Sequence, residues 1–200
     1  FDASIVAPKT VVAFETLTYK KIQIAVHAEI EDKDQTVYIP TIRTSAKDNV
    51  TGINHTEADK EVTITDTVTY KGLEVGREYT VSGTLMNQRT GAKILVNGKP
   101  VTASTTFTAE KKEGSVEVVF AFDASALEGT TTVVYEKLYT ENKEVAAHTD
   151  INDKGQTIYI PKVRTTAIAD DTKDHVTEAK KDVTIVDTVS YEGLEVGREY

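Results

Sequence analysis

Val62-Thr-Ile-Thr-Asp-Thr-Val-Thr-Tyr70 decides the fold class, because threonine recurs at every second position, at 63, 65, 67 and 69. A period of two belongs to a β-strand and not to a helix. The same habit runs through Tyr79-Thr-Val-Ser-Gly-Thr-Leu85, Ser115-Val-Glu-Val-Val-Phe-Ala-Phe122 and Thr131-Thr-Val-Val-Tyr-Glu-Lys-Leu-Tyr139, all rich in valine, threonine and aromatic residues. Turn chemistry separates these runs: Gln88-Arg-Thr-Gly91, Asn97-Gly98 as a type I′ hairpin, Glu113-Gly114 and Glu128-Gly129. Ala124 to Leu127 is the one stretch that reads as helical or 3-10. Many short strands divided by such turns imply an all-β, immunoglobulin-like antiparallel β-sandwich.

Working outward, the chain compares with itself at an offset of 121 residues. Residues 1–79 align with 122–200 without a gap, and about half of the pairs are identical. Phe1-Asp-Ala-Ser4 returns as Phe122-Asp-Ala-Ser125, and Gly72-Leu-Glu-Val-Gly-Arg-Glu-Tyr79 returns whole as Gly193 to Tyr200. A unit of that length is an independent domain and not a solenoid repeat. Placing boundaries at Pro40 and Pro161, each closing an apolar strand, divides the chain into three. Residues 1–40 are the C-terminal part of a first module, 41–161 a complete module, and 162–200 the N-terminal part of a third. Only the middle one is expected to fold on its own.

Composition narrows the classes of function. The 200 residues carry a formal net charge of -9, with 39% hydrophobic and 28% charged residues. That is globular material, and its acidity argues against nucleic acid or an anionic membrane surface as partner. No apolar run is long enough to enter a membrane. With no cysteine, disulfides, thiolate metal sites and cysteine nucleophiles are excluded. No Gly-rich phosphate loop or histidine cluster suggests a cofactor or a metal. Asp150-Ile-Asn-Asp-Lys-Gly155 superficially matches a calcium loop, but Lys154 and Pro161 occupy positions that should supply oxygen ligands. His55 and His175 fall in polar loops and read as solvated, and the sequons at Asn49 and Asn54 have weight only in a eukaryotic secretory route.

Alternation then places polar groups in the core. Thr44 shares a face with Ile42 and Ala46, Glu136 with Val134 and Leu138, and Gln156 with Ile158 and Ile160. Val163, Thr165 and Ala167 repeat the first pattern in the next copy. Burying such groups unpaired costs about 1 to 3 kcal/mol each, so they are either a satisfied polar network or a reactive set. In the reactive reading Thr44 is the nucleophile and the Gln156 carboxamide the electrophile. His148 serves as base, and two carboxyl groups sharing a proton, assigned to Glu136 and Asp153, polarise the amide. Thr67 is rejected as nucleophile, because it belongs to a threonine ladder read as solvated.

The spacing around His148 occurs twice. Asp153, Gln156 and Thr157 follow it as Asp32, Gln35 and Thr36 follow His27. Together with Val12-Ala-Phe-Glu15 and its copy Val133-Val-Tyr-Glu136, and with Asp66-Thr-Val-Thr-Tyr70, Leu73-Glu-Val-Gly76 and Tyr79-Thr-Val-Ser-Gly-Thr-Leu85, this pattern resembles the VaFE-type repeat of Gram-positive surface adhesins, over essentially the whole chain. The resemblance implies an autocatalytic intramolecular ester between Thr44 and Gln156, with Glu136, His148 and Asp153 at the catalytic positions. It also implies partial sites in the neighbouring modules: Glu15, His27, Asp32 and Gln35 in the first, Thr165 in the third. The expected role is a stalk or spacer at the bacterial cell surface. Neighbouring modules are its partners there, a host ligand binds elsewhere in the full protein, and a region outside these residues anchors it to the cell wall. Three other readings compete: a plain adhesive immunoglobulin-like module without covalent chemistry, a hydrolase applying the same Thr, His and acid groups to an external substrate, and a Lys-to-Asn or Lys-to-Asp isopeptide domain. The last lacks a lysine that clearly faces inward on an end strand.

Overall fold

The computed structural model describes all residues from Phe1 to Tyr200. Its strands, in order, begin with β1 (Lys9–Val12), β2 (Glu15–Tyr19), β3 (Ile22–His27) and β4 (Thr36–Ile39). They continue with β5 (Thr41–Asp48), β6 (Val62–Lys71), β7 (Glu78–Asn87), β8 (Leu95–Val96), β9 (Lys99–Pro100), β10 (Thr102–Thr108) and β11 (Glu113–Phe122). Then come β12 (Thr130–Thr140), β13 (Lys143–His148), β14 (Thr157–Ile160), β15 (Lys162–Ala169) and β16 (Ile185–Glu192). No helix is long and apolar enough to cross a membrane.

Strands β5 to β7 and β10 to β14 form a two-sheet sandwich, with β8 and β9 as a separate hairpin. One sheet runs β11-β6-β5; the other runs β10-β7-β12-β13, with β14 also pairing β12, and every pairing is antiparallel. β12 is long enough to take two partners on one side, β14 along Thr130 to Val133 and β13 along Glu136 to Thr140. Between the sheets lies one apolar core containing Ile64, Val68, Leu85, Val118, Phe120 and Leu138. The alternation of β6 supplies it directly: Val62, Ile64, Val68 and Tyr70 are buried, while the odd-numbered threonines face outward. Asn97 and Gly98 both have positive φ, 51° and 74°, as the type I′ turn joining β8 and β9 demands.

The expected 3-10 stretch at 124–127 is instead a turn, closed by the Leu127 amide donating to the Ala124 carbonyl at 2.8 Å. The two 3-10 helices are Ala3–Ile5 and Lys154–Gln156. The first is the copy of 124–126. It begins with Asp2 accepting from the Ser4 amide, just as Asp123 accepts from Ser125. One local sequence therefore gives a 3-10 turn in one context and a simple turn in the other.

Residues 1–39 and 162–200 form fragments of the same sandwich. β1 pairs with β4, β2 with β3, and β15 with β16. β1 and β2 together correspond to the single strand β12, and the break at Ala13 and Phe14 falls where β12 is held continuous by β7. Without a facing sheet the inward set has nothing to cover it. Leu17 is 61% exposed where its copy Leu138 is 0% exposed, and Val163 is 57% exposed where Ile42 is 5% exposed. Val163, Thr165 and Ala167 thus line a face in register but not a core, contrary to the inward placement expected from alternation.

Packing tolerances are tightest where the two central strands of the larger sheet meet. Gly83 on β7 lies opposite Glu136 on β12. A Cβ on Gly83 would come within 2.4 Å of Phe120 Cζ and 2.5 Å of Glu136 Oε1. Gly83→Ala is expected to destabilise the chain by about 1 to 3 kcal/mol through overpacking, measured by urea unfolding; an unchanged midpoint would show that the ring and carboxyl can step aside.

Candidate functional site

Five buried side-chain atoms lack a hydrogen-bond partner: Thr44 Oγ1, Asp66 Oδ2, both carboxyl oxygens of Glu136, and Gln156 Oε1. All belong to one cluster, in the gap between the sheets near the edge where β5 of one faces β13 and β14 of the other. A sandwich core normally satisfies such groups. With both carboxyls ionised, Asp66 and Glu136 have no donor to share between them; a proton on Glu136 supplies one toward Asp66, so the site is short of donors and depends on that proton.

Each element delivers its residue for a local reason. β5 presents Thr44 between buried Ile42 and Ala46, so its hydroxyl oxygen is enclosed although the residue as a whole is only part-buried. Gln156 ends the 3-10 turn rather than sitting on the last strand, and is 0% exposed. Asp153 starts that turn. Its Oδ1 accepts from the Gly155 amide at 2.7 Å and its carbonyl from the Thr157 hydroxyl at 2.7 Å. β12 carries Glu136 inward between Val134 and Leu138, and across the ladder Glu136 pairs with His148 on β13.

The partner that sequence reasoning missed is Asp66. It sits at the middle of β6, on the face of Ile64 and Val68, with 0% exposure. Its Oδ1 accepts a hydrogen bond from Gln156 Nε2 at 3.1 Å. The signal was present in the alternation, since position 66 shares its parity with 62, 64, 68 and 70. Attention to the outward threonines passed over the one carboxylate on the other face.

Asp66, and not Asp153, is the carboxyl group coupled to Glu136. Burial and then the charge of Asp66 push the Glu136 carboxyl up to about 10. Burial also raises Asp66, against the opposing pull of Glu136, the Gln156 amide, the Ser45 amide and His148. Two carboxyls in a dry site cannot both ionise cheaply, so at neutral pH Glu136 retains its proton. Asp153 lies at the rim, and its Oδ2 is 2.7 Å from His148 Nε2. The expected Glu136–Asp153 pair is thereby corrected: the start of a surface turn cannot reach the centre of the sandwich, whereas the middle of β6 faces it. Asp153 instead fixes both the imidazole and the turn that ends at Gln156.

The incomplete copies separate local from tertiary effects. His27 Nε2 lies 2.7 Å from Asp32 Oδ2, repeating the His148–Asp153 geometry with no facing sheet. Glu15 pairs with His27 across β2 and β3 as Glu136 does with His148, yet Glu15 is exposed. Gln35 is part-buried and Thr165 exposed. The histidine–aspartate contact is therefore a property of the short segment itself, whereas the buried carboxyl pair requires the whole sandwich.

His55 departs from its solvated reading. It is 8% exposed, stacks on Tyr159 with ring centroids 4.9 Å apart, and places Nε2 2.8 Å from the Tyr200 hydroxyl.

The chain belongs to the family of T-Q ester bond containing domains, whose model matches residues 1–39, 40–160 and 161–200. The sequence resemblance to ester-forming adhesin repeats is borne out by that match. Among solved structures the chain is similar to a bacterial adhesin from Mobiluncus mulieris containing intramolecular disulfide, isopeptide and ester bond cross-links. In one crystal form the identity is 16% and in another 17%; each comparison covers 78% of this chain and 74% of that one, with a TM-score of 0.51. At that identity the likeness speaks for the fold, an antiparallel β-sandwich of immunoglobulin-like type. No curated protein sequence matches the chain.

The raised Glu136 carboxyl has a signed consequence. Unfolded, it ionises near its ordinary value; folded, it keeps its proton up to about 10. The folded chain then binds more protons between those limits, so this group's stabilisation is full below the lower one and is lost as pH rises toward the upper. Where no cross-link masks the effect, Thr44→Ala is expected to melt at a lower temperature at about pH 9 than at about pH 5, and Thr44→Ala with Glu136→Gln should show a smaller fall. Equal slopes in the two variants would mean that Glu136 ionises normally in the fold.

Proposed function

We propose that residues 41–161 form a complete module that ties itself shut with an ester between Thr44 Oγ1 and the side-chain carbonyl carbon of Gln156, releasing ammonia, and that tandem modules of this kind serve as a load-bearing stalk of a bacterial surface adhesin. The observation that carries this reading is the gathering of the Thr44 hydroxyl, the Gln156 amide and the Asp66–Glu136 carboxyl pair in one buried gap between the sheets. Family membership supports the bond, and the Mobiluncus adhesin offers a parallel for the setting.

The chemistry follows from the charges. The Thr44 hydroxyl attacks the carboxamide carbon as His148 takes its proton, and Asp153 holds the imidazole for that task. Negative charge developing on Gln156 Oε1 is countered by the protonated Glu136, the acid available in the cluster. Asp66, already bonded to the amide nitrogen, orients the leaving group. The C–N bond breaks once that nitrogen has gained a proton, and ammonia departs. Nucleophile and electrophile both belong to the chain, so the reaction runs once and no product leaves but ammonia.

The placement suits tension. β5 begins the module and lies in the three-stranded sheet, while β14 ends it and lies in the other. An ester from Thr44 to Gln156 joins the two sheets as well as the two ends, so force entering at Thr41 crosses directly to β14. The strands between are shielded, on the order of 370 Å of chain at about 3.3 Å per residue. If the bond restricts the unfolded chain as a disulfide closing a similar loop does, it adds about 4 to 5 kcal/mol.

The deciding measurement is the intact mass of the denatured chain. A deficit of about 17 Da is expected, the ammonia lost when a hydroxyl displaces an amide nitrogen. It should vanish in Thr44→Ala, and Asp66→Asn should slow its appearance. An unmodified parent mass would sink the proposal.

A further inference from the structure

Both junctions between modules have the same construction. One residue separates β4 from β5, namely Pro40, and one separates β14 from β15, namely Pro161. So short a connection leaves no flexible linker. At the second junction a Cβ on Gly193 would lie 3.0 Å from the carbonyl carbon and oxygen of Gly129 in the preceding module. At the first, a Cβ on Gly72, the copy of Gly193, would lie 3.2 Å from the Ile39 carbonyl oxygen and 3.5 Å from the carbonyl carbon of Pro8. Pro8 is the copy of Gly129. The two loops have matching backbone conformations, with φ of +77° at Gly72 and +71° at Gly193.

The rest of the loop repeats as well. Tyr79 accepts a hydrogen bond from the Glu74 amide at 3.1 Å, and Tyr200 accepts one from the Glu195 amide at 2.8 Å, so each tyrosine pins its own loop. At the second junction the preceding module supplies a counterpart. His55 is bracketed by Tyr159 of its own module and by Tyr200 of the next, with its Nε2 on the Tyr200 hydroxyl. The backbone anchors His55 firmly: the Thr56 amide donates to the Tyr159 carbonyl at 3.0 Å, and the Tyr159 amide to the Asn54 carbonyl at 2.9 Å. Arg198 adds a bond to Asn54 Oδ1 at 3.3 Å.

We propose that the segment Gly-Leu-Glu-Val-Gly-Arg-Glu-Tyr, residues 72–79 and 193–200, is a docking loop that each module sets against the module before it, and that His55 with Tyr159 is the receiving latch. The partner is the next copy of the same module. This rests on the reading of the chain as a piece of a tandem array, and it adds that the array is a stiff rod rather than beads on a string. Identity between the two copies of this loop is complete over all eight residues. Within its own complete module the segment also buries Leu73 and bonds Arg77 to Thr140 and Glu141, so it is the approach of Gly193 to Gly129 and of Tyr200 to His55, and not the identity, that points to the neighbour.

The chain has no cysteine, so two can be introduced for nitroxide labels without interference. Lys99→Cys on the β8–β9 hairpin and Thr188→Cys on β16 are both exposed and belong to different modules. Electron–electron dipolar spectroscopy on the full 200-residue chain is expected to give one narrow distance distribution. His55→Ala together with Gly193→Val should widen it about twofold, as a flexible connection would. Val119→Ala, at a 49% exposed position on β11 outside the loop and its seat, should leave it unchanged. A broad distribution in the parent, or a narrow one that survives the double substitution, overturns the latch. A broad distribution with the ammonia deficit intact rejects the rigid junction alone; a narrow one without the deficit rejects the ester alone.

Discussion

A carboxylic acid held neutral next to a second carboxyl group, both buried between the sheets, is the constraint on which the rest of this module depends. Glu136 and Asp66 are both 0% exposed and come from the central strands of opposite sheets. Their proximity is a product of the whole sandwich: β6 must be flanked by β5 and β11, and β12 by β7, before the two side chains meet. Burying such a pair opposes folding, because each unsatisfied polar atom forfeits its hydration. The apolar core around Phe120, Val68 and Leu138 supplies the opposing term. Gly83 belongs to the same bargain: by omitting a side chain opposite Glu136 it leaves the space that the carboxyl and the Phe120 ring share.

In the proposed reaction, acidity at Glu136 and hydrogen bonding at Asp66 would act on a single amide. Gln156 arrives from a 3-10 turn whose N-cap, Asp153, also contacts His148, so one short segment would orient electrophile and base together. That division explains why the segment from His27 keeps its histidine–aspartate contact in a fragment that has no second sheet. Local sequence is sufficient for that half of the machinery. The half that shifts proton affinity exists only after long-range pairing, which separates residues 66 and 136 along the chain and joins them in space.

How much was legible beforehand follows the same line. Period-two alternation located the strands and put Thr44 and Glu136 inside, because side-chain parity is a local property of a strand; Gln156 is buried too, but from the 3-10 turn before β14 and not from the strand that the parity argument used. Asp66 was equally legible by parity, and was missed because its threonine neighbours drew attention to the opposite face. The partner of Glu136 was misassigned for a different reason: parity says which face a residue occupies, but not which residue of the opposing sheet it meets. His55 was misread because its burial depends on Tyr159 and on Tyr200 of the next module, contacts between positions far apart in sequence. The turn at 124–127 failed as a helix since a stretch that short takes its geometry from the strands it joins.

The proposed covalent closure and rigid docking would address two different weak points of a chain under tension. The proposed ester from β5 to Gln156, just ahead of β14, would protect the interior of a module, because force could pass from its first strand to its last without peeling the sheets apart. It does nothing for the peptide between Ile160 and Lys162, which carries the full load whatever the modules contain. There the structure places a single proline, with the loop of the following module packed against Gly129 and its tyrosine against His55. Such a contact cannot add strength to a covalent backbone, but it limits the angles through which successive modules swing. For an array meant to hold something at a distance, resistance to bending matters as much as resistance to unfolding. The residues that set it lie outside the ester site, so reach and strength can vary independently.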